Sequence, residues 1–339
     1  MLPAPPASPS TTLAQAKQTL MRNTRRVATV IALSAGAILA ALAPTAGHAA
    51  EPPAVGASVG CGAKRIGEIT VATLNSVPIV TLVANGVPVV LLLDTGAYRT
   101  ILTPPAAQRI GAQPPRVEFS RRMRGIAGAL PIREVELRSF TIAGAAIPWH
   151  RIAVAPATLP SVFFGPLDGL LGADVLSSFD IDIDLSHHRM VLHEKQSCPD
   201  AAPDWAEPYV GISTGRSRSE HLFFPVQLDG REIVAIVDTG AQMTALSSKA
   251  ALALGVSEAA LAHDPSKTMH GATGEQVSGH IHRFSQLKVG EDPARDPEIV
   301  VGDANLPDAD LVLGIDFVRS RRMWFSYGSR RIFLSRPRR

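Results

Sequence analysis

The sequence predicts an all-β protein of two similar lobes, on three observations. The chain repeats itself: with Asp94 aligned on Asp238, DTGAYRTILTPPAAQRIG (94–111) matches DTGAQMTALSSKAALALG (238–255) without a gap. Short β-branched runs alternate with turn residues, and each copy holds only one strong helical stretch. Finally, 339 residues suit two lobes, each long enough for a substantial core.

In chain order, a leader comes first. Residues 1–50 carry Lys17, Arg22, Arg25 and Arg26 and no acid, and 27–43 is a charge-free apolar run. Pro44 and the small residues Gly47 and Ala49 follow, the order expected of an export signal cut before Ala50. Residues 1–50 are therefore expected to be a cleaved signal peptide, with Met21 as an alternative start. The protein would be periplasmic or secreted, without stable membrane insertion. An uncleaved anchor is the competing reading, since the apolar run sits at the lower edge of what spans a bilayer. The pair Arg25-Arg26 leaves the export route open. Without those four positive charges the formal net charge falls from +3 to −1, which gives no electrostatic reason to expect a nucleic-acid partner. The late basic residues Arg330, Arg331, Arg336, Arg338 and Arg339 read as a solvated tail.

Each copy then opens with an apolar run, a tight turn at Asn85-Gly86 or Asp229-Gly230, and a second apolar run ending in the aspartate. Asn-Gly and Asp-Gly favour a two-residue hairpin because both central positions need positive φ. A short helix follows, capped by Thr103 or Ser247 and stopped by Gly111 or Gly255. Further on, 123–128 pairs with 269–274, and Leu170-Leu171-Gly172-Ala173-Asp174 pairs with Val312-Leu313-Gly314-Ile315-Asp316. A Pro- and Asp-rich stretch between the copies marks the boundary. The expected organisation is a lobe at 51–198, a linker at 199–208 and a lobe at 209–339.

One Asp-Thr-Gly is usually a turn, but two copies behind apolar strands point to chemistry. Two carboxylates within hydrogen-bond distance cannot both ionise, so one keeps a proton while the other stays a base. Asp94 and Asp238 are the candidate pair, able to activate a water and protonate an oxyanion. Gly96 and Gly240 would let the backbone approach closely, and Thr95 and Thr239 could interlock the two loops.

On these motifs the chain resembles the aspartic peptidases, more closely the retropepsin-like branch than pepsin. The carriers are Leu93-Asp94-Thr95-Gly96-Ala97, Val237-Asp238-Thr239-Gly240-Ala241 and the paired Leu170-Leu171-Gly172 and Val312-Leu313-Gly314. The resemblance implies two β-barrel lobes, closed or half-closed, forming one bilobal acid-protease fold. It implies an aspartic endopeptidase acting on an extended peptide or protein, with no cofactor and no metal. Residues 123–128 and 269–274 would be hairpin flaps, with Gly125, Gly128, Gly271 and Gly274 at their tips. Retropepsins build such a site from two chains; with both halves here in one chain, a monomer is expected. Neither flap carries the tyrosine of pepsins, and Ala173 and Ile315 stand where retropepsins often have arginine. The alternatives are a non-catalytic peptide-binding or adaptor protein that keeps the fold, and a processing peptidase selective for one target. Cys61 and Cys198 bracket the first lobe and are expected to form a disulfide outside the cytoplasm.

Other signals are weaker. Gly211-Ile212-Ser213-Thr214-Gly215 matches a serine-hydrolase pattern but is followed by a polar turn, so it reads as strand and loop. His280 with His282, and His187 with His188, lack a third metal ligand and read as exposed residues. Asp180, Asp182 and Asp184 alternate with isoleucine, which predicts a strand with one polar face rather than a calcium loop.

Overall fold

The computed structural model describes residues 62–116, 121–125, 128–148, 151–155, 167–198, 201–215, 217, 219–270, 276–303 and 308–338. The expected signal peptide and Cys61 lie outside these residues, and with Cys61 lies the expected pairing to Cys198. Among the described residues no helix is long and apolar enough to cross a membrane.

The first repeat runs β1 (Arg65–Thr70), β2 (Ala72–Leu74), β3 (Val77–Ala84), β4 (Val87–Leu93), β5 (Ile101–Leu102), α1 (Pro104–Arg109), β6 (Arg121–Gly125) and β7 (Gly128–Glu136). It continues through β8 (Phe140–Ile142), β9 (Ala145–Ala146), β10 (Arg151–Val154), β11 (Gly169–Leu171), α2 (Ala173–Leu176), β12 (Asp180–Asp184) and β13 (Arg189–His193). The second repeat begins with β14 (Tyr209–Ser213), β15 (Phe224–Leu228), β16 (Arg231–Val237), β17 (Ala245–Ser247), α3 (Ser248–Ala253) and α4 (Glu258–Leu261). Then come β18 (Ser266–His270), β19 (Gln276–Arg283), β20 (Gln286–Val289), β21 (Asp292–Arg295), β22 (Glu298–Gly302), β23 (Leu311–Leu313), α5 (Ile315–Val318), β24 (Arg322–Ser326) and β25 (Arg331–Ser335).

The fold is the expected all-β, bilobal one. The first lobe's sheet has the order β6-β7-β10-β5-β11-β4-β3-β8-β9, with β2 added on β3. The second reproduces it strand for strand as β18-β19-β22-β17-β23-β16-β15-β20-β21. In the described pairings each sheet is an open path, so the lobes take the half-closed form. A third sheet, β1-β13-β12-β24-β25-β14, joins the two repeats. At its centre β12 and β24 pair antiparallel, with Asp182 opposite Trp324. These two residues occupy equivalent places in the repeats, so the axis relating the lobes passes between them.

Local chemistry explains why the repeat folds the same way twice. Asn85 and Gly86 have φ of 51° and 80°, and Asp229 and Gly230 have 48° and 75°, the positive values of a tight hairpin turn. The same turn side chains also hold the next hairpin. Asn85 Oδ1 accepts from the N–H of Arg138 and Ser139, and Asp229 Oδ1 from Ser285 and Gln286. Thr103 caps α1 through the Ala106 N–H and Ser247 caps α3 through Ala250. The sequence signals missed α2, α4 and α5. Each is four residues long, too short to show a helical period.

One sequence expectation holds with an addition, and two need correction. Asp180, Asp182 and Asp184 do alternate with buried Ile181 and Ile183 on β12, but their polar face is itself buried. Asp182 accepts from Arg322 Nη2 (2.6 Å) and Trp205 Nε1 (3.1 Å), while Asp180 accepts from Ser326 Oγ and the Gly328 N–H. The supplier of Trp205 is the expected linker, whose described part packs over this face. The late basic run is not a solvated tail either. Arg331 begins an interior strand of the joining sheet, and Arg338 Nη1 donates to Asp184 at 2.8 Å while its Nη2 reaches Glu207. Lastly, His280 and His282 are half-buried, and His282 Nδ1 lies 2.6 Å from Asp264 Oδ2. Gly211–Ser213 is strand, as expected, at the end of β14.

Burial alone would raise Asp184. Hydrogen bonds from Arg338, Ser186 and His187 outweigh it and hold the carboxyl down at about 2. A carboxylate held below its unfolded value stabilises the fold above that value, and the contribution is lost as pH falls through the folded one. Asp184→Asn should therefore cost about 2 kcal/mol at neutral pH in urea unfolding. The gap to wild type should close as the pH falls from about 4 to about 2. A gap that stays constant over that range would refute the assignment.

Candidate active site

Strand pairing puts both aspartates at the molecular centre. β4 runs parallel to β11, with Leu93 beside Leu171, and the Asp94 N–H donates to the Leu171 carbonyl at 3.0 Å. In the second lobe β16 runs parallel to β23, and the Asp238 N–H donates to Leu313 O at 3.0 Å. The strand carrying the apolar-apolar-glycine motif thus runs alongside each carboxylate loop.

The loops lock into each other through buried threonines. The Thr95 N–H donates to Thr239 Oγ1 and the Thr239 N–H to Thr95 Oγ1, both at 3.1 Å. Each hydroxyl then donates onward to the other lobe, Thr95 to Val237 O and Thr239 to Leu93 O. Gly96 and Gly240 make room for the carboxyls themselves. A Cβ on Gly96 would stand 2.3 Å from Asp238 Cγ, and one on Gly240 2.6 Å from Asp94 Cγ. Each carboxyl therefore rests on the other loop's glycine, a contact no side chain permits.

Asp94 is buried and Asp238 half-buried. Burial pushes Asp94 well above the usual carboxylate range, and the charge of Asp238 and a hydrogen bond with it add to the rise. The Ala97 and Gly96 N–H groups, donating to Asp94 Oδ1 at 2.8 and 3.1 Å, oppose it. Burial raises Asp238 as well, opposed by the hydrogen bond with Asp94 and by N–H donors of Gly240, Ala241 and Gly96. The two carboxyls lie in hydrogen-bonding reach and titrate as a pair.

A second layer was legible in the repeat but not singled out as part of the site. Thr100 donates through both N–H and Oγ1 to Asp174 Oδ1 at 2.7 Å, and its hydroxyl accepts from the Gly172 N–H. Thr244, Asp316 and Gly314 reproduce this in the other lobe. These bonds tie the glycine strand to the loop in each lobe. Burial raises Asp174, with the Thr100 hydrogen bonds and Arg99 opposing. Arg99 Nη2 also donates to Glu134 at 3.0 Å; its counterpart in the other lobe is Met243. His221, buried against the first loop, gave no sequence signal at all, because its counterpart is Val77.

Asp94, Thr95, Gly96, Asp238, Thr239 and Gly240 therefore meet at one point. The segments expected to form flaps belong to antiparallel strand pairs, β6–β7 with Gly125 paired to Gly128, and β18–β19. Residues 126–127 and 271–275, including Gly271 and Gly274, lie outside the described residues. Among the described residues no group of three or more His, Cys, Asp or Glu is placed to hold a metal ion.

Comparison with known families agrees with this geometry. An aspartyl protease family model matches residues 80–175, and a gag-polyprotein aspartyl protease model matches 224–320. The two matches fall in tandem on the two lobes and together cover more than half of the chain. The chain carries two retropepsin-like aspartyl protease units in tandem, which supports a function of the protease type. No curated protein matches the chain.

The threonine interlock gives a direct test. Thr95→Val keeps shape but removes a buried donor and acceptor, leaving the Thr239 N–H and Val237 O without their partners. Unfolding should show a loss of about 2–5 kcal/mol, from two unsatisfied buried groups. Thr239→Val should cost a similar amount, and the double variant less than the sum because both hydroxyls hold the same pair of loops together.

Proposed function

We propose that the protein is an aspartic endopeptidase in which Asp94 and Asp238 form one catalytic dyad. The observation that carries this reading is the reciprocal seating of each carboxyl on the other loop's glycine, within hydrogen-bonding reach of its partner. Asp94 holds the proton, and the more open Asp238 serves as the base. Asp238 takes a proton from a water lying between the two carboxyls, the water oxygen attacks the peptide carbonyl, and Asp94 donates its proton to the carbonyl oxygen. Collapse of the tetrahedral intermediate with protonation of the amide nitrogen breaks the C–N bond. The fixed loops contribute positioning, since neither carboxyl can move away without breaking the interlock. We place this activity outside the cytoplasm, because residues 1–50 carry the pattern of an export signal and Cys61 and Cys198 suit an oxidising compartment.

A diverse peptide library should be cleaved, and a statine-type inhibitor should stop it. Peptides bound but never cut would instead identify a binding module. Asp94→Asn and Asp238→Asn should each reduce kcat at least about 10³-fold, and the double variant should be no worse, because the pair acts as one unit. Melting temperatures should stay level or rise, since removing one of two crowded buried carboxyls relieves repulsion. Near-normal turnover by either single variant would exclude a shared dyad.

The pH profile follows from the same pair. Activity needs one proton on the dyad, so it is lost as pH falls through the lower macroscopic value and as it rises through the upper one. Burial raises both carboxyls. Ala97 and Ala241 offer no hydroxyl to the charged form. The optimum of kcat/KM should therefore be less acidic than that of pepsin, whose dyad titrates well into the acid range. An optimum as low as pepsin's would contradict this.

A further inference from the structure

His221 belongs to the second lobe but packs on the first lobe's carboxylate loop. It is 2 % exposed, and its ring meets Tyr98 edge-on with centroids 4.1 Å apart. The backbone of Gly96 and Ala97 lies against the imidazole. Ser219 Oγ sits 3.2 Å from Nδ1, and Phe223 packs at 5.9 Å between ring centroids. Arg330 Nη2 fixes the segment from behind, donating to the carbonyls of His221 and Gly215 at 3.0 Å each. Nε2 is buried, and among the described residues no group meets it in full hydrogen-bond geometry, the Gly96 and Ala97 backbone coming nearest to doing so. At the equivalent position of the repeat stands Val77, fully buried in the first lobe's own apolar cluster with Leu92 and Ile101. The imidazole is an addition to one half of a nearly symmetric centre.

We infer that His221 is a positioning residue for the Asp94 loop: an uncharged clamp between the lobes that holds Gly96, Ala97 and Tyr98 in place and lets go when it takes a proton. The charged and titratable groups around it make the imidazolium unwelcome. Arg330 carries the same sign, Tyr98 and Ser219 are neutral, and the neighbouring Glu220 is exposed. Burial holds the imidazole down at about 4, the Gly96 and Ala97 backbone opposing and Arg330 adding to the fall. With the ordinary value near about 6.5, the unfolded chain takes this proton before the folded one does. Stability is therefore full above about pH 6.5 and falls as the pH drops toward about 4.

The kinetic part of this inference rests on the peptidase reading; the stability part does not. The test uses the full chain with His221→Gln, which stays neutral and keeps a side-chain amide, and His221→Val, which copies the other lobe. Melting temperature is followed from about pH 8 to about pH 3. The difference between wild type and each variant should be flat above about pH 7 and move in the variant's favour between about 6.5 and about 4. In peptide hydrolysis, normalised at about pH 6, His221→Gln should retain roughly tenfold more kcat than wild type at about pH 3, one unit below the folded value, with KM unchanged. His221→Val should lose kcat even at about pH 6, where Gln largely restores it. Superimposable pH profiles, or a melting difference that does not change with pH, would overturn the clamp. A wild type that cuts no peptide overturns the peptidase reading alone, and the melting curves still decide the role of His221.

Discussion

The centre of this protein depends on four hydrogen bonds between two threonines and the opposite lobe's backbone. Thr95 and Thr239 are both almost fully buried, so every one of these groups would be unsatisfied if the loops separated. That cost makes the loop pair a single rigid object. Rigidity in turn allows an arrangement that would otherwise spring apart, two carboxyls both raised by burial, Asp94 further by the charge of its partner. The repulsion between the aspartates is tolerated because the threonines beneath them do not move.

Around this point the molecule is built as two copies of one lobe, joined by a sheet to which both contribute. The support repeats faithfully: Thr100 with Asp174 and Gly172, Thr244 with Asp316 and Gly314. A shared site needs such matching, since both loops must reach the same point at the same height. Departures from symmetry are confined to residues that matching does not require. Asp182 faces Trp324 across the axis, Arg99 stands opposite Met243, and His221 opposite Val77. The Asp94 loop therefore has Tyr98 and the His221 imidazole packed together, a pair that the sequence of the other repeat replaces with Gln242 and Val77. The backbone of the two lobes is thus nearly two-fold, while their side chains are not.

The joining sheet shows how far burial can be carried by polar groups. Asp180, Asp182 and Asp184 lie inside the protein, each supplied with donors from the other repeat or from the C-terminal residues. Removing any donor would leave a buried carboxylate short of partners, so these pairs fix which surfaces meet more than they add net stability. Arg322 also stacks its guanidinium 4.7 Å from the Trp205 ring, tying the segment between the lobes to the same cluster.

What the sequence determined by itself was everything set by short-range geometry. Asn85-Gly86 and Asp229-Gly230 demand a tight turn because their φ must be positive, and Thr103 and Ser247 mark helix starts because their hydroxyls reach N–H groups three residues on. The two Asp-Thr-Gly loops were legible because a gapless internal repeat has no local explanation. Only the tertiary structure decided which polar residues went inside. The alternation of Asp180, Asp182 and Asp184 reveals a face but not what covers it, and Trp205, Arg322 and Arg338, which do so, lie 23 to 154 residues away. Arg338 looks like any terminal arginine until Asp184 is placed beneath it, and His221 looks like any loop histidine until Tyr98 is brought across from the other lobe. Charge, burial and hydrogen bonding depend on neighbours in space, and for these residues the neighbours are distant in the chain.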